Sequence, residues 1–156
     1  MQTYFTDYLN SLQELHDDIR AALKDLPQEA LDWMPGLEIN SLGVLVVHLT
    51  GAERYWIGDV IAGAASGRDR EAEFRTKGAS QRELLEGLDA NEAFFRTALE
   101  PLALPDLEQP RISPRNGRTV TVAWALCHVL KHTALHLGHI QLTRQLWDRR
   151  NSSGLA

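Results

Sequence analysis

In the first 26 residues, Phe5, Tyr8, Leu9, Leu12, Leu15, Ile19, Ala22, Leu23 and Leu26 recur at three- and four-residue steps. That period gathers the apolar side chains on one face of an α-helix and scatters them over both faces of a strand. A helix over about 3–26, buried along one side, follows. Pro27 offers the start of a short second turn, and Trp33-Met34-Pro35-Gly36 then breaks the chain.

Three further stretches carry the same pattern. Asn40 or Ser41 can cap a helix over about 41–63, whose first turns (Leu42, Val44, Leu45, Val46, Val47) are apolar enough to cross the middle of a bundle. A polar loop over 64–79 follows it. Ser80-Gln81-Arg82-Glu83 has the capping-box form, in which serine and glutamate satisfy each other's end N–H groups, and opens a helix over about 80–100 with Leu84, Leu85, Leu88, Phe94, Phe95 and Leu99 on its buried face. Pro101 ends it. Pro105, Pro110, Pro114 and Asn116-Gly117 make 101–118 a long irregular connection. From Thr119 or Thr121 to about Arg149 runs the longest helix, with Trp124, Leu126, Val129, Leu130, Leu135, Ile140, Leu142, Leu146 and Trp147 as its apolar complement. No strand pair and no repeat is evident. The expected fold is all-α: a four-helix bundle with one long Pro-rich crossover before the last helix.

With 156 residues the chain fits one domain, expected over 1–150, with 151–156 as a flexible tail. Sixteen basic residues against 21 acidic ones give a charge of −5, and the basic residues are scattered, which argues against nucleic acid as a partner. The one cysteine, Cys127, cannot close an internal disulfide, so a cytoplasmic setting is expected. No run approaches the ~20 apolar residues of a membrane span, and the N-terminus lacks the form of an export signal. The longest apolar run, Leu42–Val47, stops at His48.

His48 matters because four of the other five histidines lie together. At about 100° per residue, His128, His132, His136 and His139 share one narrow helical stripe. Two imidazoles one turn apart can point at a common centre, but a metal site of this kind needs a further ligand from elsewhere. His48, in an interior setting on another helix, is the evident supplier. Spacing alone leaves open whether the pair is 128/132 or 132/136, with 136/139 a poorer fit. Zincin chemistry is excluded because Thr133, not glutamate, follows His132, and no Glu-x-x-His motif of a di-iron bundle exists here. His16, beside Asp17 and Asp18, reads as solvated.

The order Trp33-x-Pro35, Asn40-Ser41, HLTGAERYW from His48 and HVLKHTALHLGHIQLTRQL from His128 resembles the DinB/YfiT-like superfamily of metal-binding four-helix bundles over about 3–147. The resemblance implies that His48, His132 and His136 hold the metal, that His128 stands outside the ligand set, and that the protein forms a homodimer. Two positions depart from the family pattern. Leu137 stands where an arginine is usual, and His139 where a glutamine is usual, so His139 is open to a ligand, a supporting, a subunit-interface or a plain surface role. Relatives include isomerases and S-transferases that use mycothiol or bacillithiol.

Three neutral imidazoles leave a divalent metal with open positions, as in catalytic sites; an all-nitrogen set accepts Zn, Ni, Co, Cu or Fe, and zinc or nickel is the expectation. A water or thiol held there loses its proton more easily. Tyr55 and Asp59 fall close to the His48 direction on an ideal helix. Tyr55 is therefore the candidate catalytic partner, against the plainer alternative of a packed bundle tyrosine, and Asp59, three turns away, reads as solvated. Glu53 points well away, toward a cap, an ion pair or a supporting contact. Trp56 and Trp124 suit a pocket wall or core, and Cys127 suits packing. The leading function is a metal-dependent thiol S-transferase or hydrolase acting on a small-molecule substrate or a low-molecular-weight thiol. The alternatives are a bundle that binds a metal or small molecule without turnover, and a structural dimer packed through the histidine stripe.

Overall fold

The computed structural model describes residues 1–152, so the last four residues of the expected tail lie outside the described residues. Helix α1 spans Thr3–Leu23 and stops short of the expected 26, because Asp25 takes a left-handed conformation (φ 59°) ahead of Pro27. Pro27 then caps the one-turn α2, Gln28–Asp32. Helix α3, Leu42–Arg54, starts on Ser41, whose hydroxyl accepts the Val44 N–H at 3.3 Å. The chain continues without a break as a π-helical segment, Tyr55–Ala62, that ends on left-handed Gly63. Gly58 has a local reason: a side chain there would collide with the Arg54 guanidinium, which reaches across to donate to the Ala64 carbonyl at 3.0 Å.

The expected loop at 64–79 contains a single helical turn, α4, Arg70–Glu73, capped by the Asp69 carboxylate. Helix α5, Gln81–Leu99, opens on the capping box, with Glu83 N–H on the Ser80 hydroxyl and Ser80 N–H on the Glu83 carboxylate. The Pro-rich connection holds what the sequence pattern hid: a 3-10 turn at Leu104–Glu108 and a short antiparallel hairpin. Its strands, β1 Pro110–Ile112 and β2 Thr119–Thr121, pair Arg111 with Val120. Val120 is buried, so the hairpin closes one end of the bundle. Three-residue strands are too short to show alternation. Helix α6, Val122–Ser152, is the 31-residue element that carries the histidines, and it runs on past the expected end at Arg149.

Packing is α1 against α6, α6 against α3, α3 against α5 and α5 against α1, which closes a four-helix ring. Its core falls into two apolar clusters. On α1, Leu12 belongs to one cluster and Ile19 to the other; on α3 and its extension, Ile57 and Leu49; on α5, Phe95 and Leu88; on α6, Val129 and Leu137. The order of these pairs shows that α3 and α5 run the same way, so the 63–80 segment must return along the bundle. That return carries α4 past His48.

Between the two clusters lies a polar layer with one residue from each helix: His16, Glu53, Asn91 and Thr133. The Glu53 carboxylate, 1% exposed, accepts from Thr133 Oγ1 at 2.6 Å, His16 Nε2 at 3.0 Å and Asn91 Nδ2 at 3.1 Å. His16 Nδ1 pairs with Glu92 at 2.8 Å, and Arg20 holds Glu92 and Asp89 at the rim. The expected solvated His16 is thus wholly buried, because it sits in the stripe between Leu12 and Ile19 while Asp17 and Asp18 turn outward. Burial disfavours its charge, but hydrogen bonds and charge from Glu53, then Glu92, outweigh this and hold its pKa above the usual value. Asp59 is likewise not free: it accepts the Ser66 N–H and hydroxyl. Leu135, Leu142 and Leu146 of α6, expected in the core, are exposed, and so is Cys127.

Candidate metal centre

His48 projects from α3, and His132 and His136 from successive turns of α6, the helix packed beside it. One nitrogen from each of the three lies within 4.8 Å of the other two. The ring centroids of His48 are 5.2 Å from His132 and 5.1 Å from His136, and those of His132 and His136 are 4.4 Å apart. Their Nε2 atoms face each other at 3.2 Å. Two nitrogens bound tetrahedrally at about 2.1 Å would stand about 3.4 Å apart, so the pair already has the spacing of a chelate.

The protonation state suits a cation as well. Burial first, then the neighbouring His136, His48 and His128 rings and Arg68, pushes His132 down to about 3. Burial, then His48 and His139, pushes His136 down to about 4. Both rings are therefore neutral at pH 7, and each has a bare lone pair. Nδ1 of both is buried without a hydrogen-bond partner among the described residues, while the two Nε2 atoms face each other.

His48 is aimed by a residue that sequence reasoning missed. Glu73, delivered by α4, accepts the His48 Nδ1–H at 2.9 Å, which leaves Nε2 bare. Arg68 grips the same carboxylate through Nε and Nη2, the latter at 2.8 Å. Burial works against charge on Glu73, but the hydrogen bonds from Arg68 and His48 win and keep its carboxyl below the ordinary range. A carboxylate behind a ligating imidazole fixes its tautomer and orientation. Phe74, next along the chain, packs on the His48 ring at 4.6 Å. The only available signal was Asp69 three residues before Ala72, a cap inside an otherwise polar stretch.

The remaining candidates are not brought into this set. His128 stacks on Trp124, with ring centroids 4.9 Å apart and planes 9° off parallel, and contacts Trp56 at 5.0 Å. Arg118 lies over Trp124 from outside, 4.3 Å from the ring. Trp56, Trp124 and His128 thus form an aromatic wall whose His128 ring is 5.7 Å from that of His132. His139 is exposed, with its ring 5.6 Å from His136. Tyr55, the first residue of the π segment, is buried; its hydroxyl is 2.6 Å from Ser113 Oγ and accepts the Arg115 N–H at 3.2 Å. It ties the hairpin turn to the bundle.

The profile of the mycothiol-S-transferase family matches residues 7–149. Among solved structures, a DinB-like protein from Bacillus cereus ATCC 10987 superposes with a TM-score of 0.72 at 17% identity, covering 88% of this chain and 89% of that one. A conserved protein from Enterococcus faecalis gives 0.76 at 17% identity over 94% of this chain and 98% of that one. YfiT from Bacillus subtilis, described as a probable metal-dependent hydrolase with an unusual four-helix bundle topology, gives 0.70 at 16% identity over 97% of this chain and 90% of that one. At these identities the likeness establishes the fold. No curated protein matches the sequence.

Proposed function

Because the chain belongs to the mycothiol-S-transferase family of DinB/YfiT-like bundles, we propose that it is a metal-dependent enzyme that transfers a low-molecular-weight thiol to a small electrophilic acceptor. The observation that carries this reading is the convergence of three imidazole nitrogens from the buried His48 and the partly exposed His132 and His136 at the α3/α6 seam. A divalent cation held by these residues supplies Lewis acidity, which lowers the pKa of a thiol and so raises its thiolate fraction near neutral pH. Zinc and nickel both suit imidazole ligands.

The chain's own groups divide the remaining tasks. Glu73 keeps the proton of His48 on Nδ1, and Arg68 balances the charge of Glu73. Trp56, Trp124 and His128 keep water from one side of the centre. Tyr55, with its hydroxyl engaged by Ser113 and Arg115, serves in this reading to hold the hairpin rather than to move a proton. All three imidazoles come from one chain, so the homodimer implied by the family resemblance adds no ligand to this set.

The test begins with the metal content of untagged protein. Turnover of mycothiol with 1-chloro-2,4-dinitrobenzene is then followed before and after chelation, and in His132→Ala. Loss of activity on chelation, its return with zinc or nickel, and an inactive variant are expected. Turnover that survives removal of the metal refutes the proposal, and stoichiometric metal with no thiol transfer moves the assignment to a binding function.

A further inference from the structure

South of the three histidines, toward the start of α3 and the end of α6, the seam between these helices widens into a groove. It is lined by Ile39, Leu45, Leu142 and Leu146, with Asn40 and His139 among its polar members, and has a volume of about 330 Å³. Ile39 is 48% and Leu142 55% exposed, and together with Leu45 and Leu146 they give the concavity a continuous aliphatic wall. The groove begins beside the centre: Leu45 is one turn before His48, and the His139 ring is 5.6 Å from that of His136.

Its chemistry is one-sided. No lysine or arginine lines it, and Glu38 is its only charged member. The opposite side of the centre carries Arg68 and Arg118. Within the groove, the Asn40 amide and the Thr143 hydroxyl, both lining residues, have no hydrogen-bond partner among the described residues. An anion would find no lysine or arginine here and would meet Glu38. A neutral molecule with an apolar body would cover the aliphatic wall, and one polar substituent could engage Asn40 or Thr143. The volume lies at the lower end of the range of small-molecule sites.

We infer that this groove is the acceptor subsite: it binds a small, uncharged, largely apolar electrophile and presents it beside the three histidines. The inference deepens the proposed thiol transfer and rests on it for the word acceptor, but the binding itself can be read without turnover. The probe is N-phenyl-1-naphthylamine, a neutral fluorophore, paired with 8-anilinonaphthalene-1-sulfonate, which has the same ring system plus one negative charge.

Fluorescence titration of the metal-loaded protein should show one saturable site for the neutral probe and affinity at least about tenfold lower for the sulfonate, a difference of about 1.4 kcal/mol. Leu142→Glu, at an exposed position that the fold does not need, should weaken the neutral probe by about tenfold or more, while Arg118→Ala leaves it unchanged. Binding by both probes alike, no saturable binding, or indifference to Leu142→Glu overturns the inference. So does sedimentation that shows a dimer dissociated by Leu142→Glu, since a second copy would then occupy the face. Chelated protein should still bind the neutral probe, so failure of the metal reading and failure of the groove reading give different results.

Discussion

Replacing Glu53 by alanine should destabilise the protein by about 3–5 kcal/mol, the range for removing one partner from a buried ion pair. The structure sets this magnitude. Three donors on three other helices, Thr133 Oγ1, His16 Nε2 and Asn91 Nδ2, share this one carboxylate, and each buried donor left without a partner costs about 1–3 kcal/mol. Simple addition overshoots, because water entering the vacated space can serve some of them. Native domains are stable by only about 5–15 kcal/mol, so the loss is a large share of the total.

Urea denaturation measures the change directly, and a melting temperature lower by roughly 6–20 °C should accompany it at this chain length. His16→Leu and Glu53→Leu, singly and together, make a double-mutant cycle. Since exchanging a whole buried pair for apolar side chains is often neutral or better, the double variant should be more stable than the sum of the single losses predicts, by at least about 1 kcal/mol. A cost below about 1 kcal/mol for Glu53→Ala, together with additive behaviour in the cycle, would refute the view that this carboxylate ties the four helices.

Glu73→Gln keeps the shape behind His48 and removes the charge; zinc affinity, measured by chelator competition, should fall about 10- to 100-fold, and unchanged affinity contradicts the orienting role. In the metal-free protein the histidines act in opposite pH windows. His16, raised in the folded state, contributes stability that is complete below its unfolded value of 6.5 and is lost as pH rises through its folded value, a loss that His16→Ala should abolish. His132 and His136, held at about 3 and about 4, stay neutral while the unfolded chain takes up protons, so stability should also fall as pH drops below 6.5; urea midpoints across this range test both signs. Zinc at 100 times its Kd should stabilise the wild type by about 2.7 kcal/mol, and Glu53→Ala should keep that increment to within about 1.4 kcal/mol, as thermal shifts with and without metal will show.

What the sequence made legible was whatever depends on one helix at a time. The stripe of Phe5 to Leu23 and the shared face of His132 and His136 follow from a 3.6-residue period, and the capping box at Ser80 from the residues of one helix start. Choosing among the histidine pairs required the family resemblance, and the geometry brings the same three side chains together. The losses came where the answer depends on a second element. His16 looks solvated beside two aspartates, and only the arrival of Glu53 and Glu92 from other helices makes burial tolerable. Glu73 looks like one acid among several in a polar loop until that loop folds back along the bundle. Tyr55 falls near the His48 direction, but Ser113 and Arg115 of the hairpin take up its hydroxyl, and no helical angle could show that.

The polar layer and the candidate metal centre meet on α6 at adjacent residues, Thr133 and His132, yet they do different work. The His132–His136 spacing is internal to one helix and is set by its backbone, so it survives small movements between helices. Only His48 depends on how α3 sits against α6. Its ring is held there by Glu73 on one side and by Phe74 on the other, independently of the Glu53 contacts one turn further along. A chelate built in this way needs stability from the layer and orientation from α4. That division explains why a bundle with a buried charge network can still hold the neutral, partly exposed His132 and His136 beside it: the charges are balanced inside the ring of helices, and the two imidazoles stand on the α3/α6 seam.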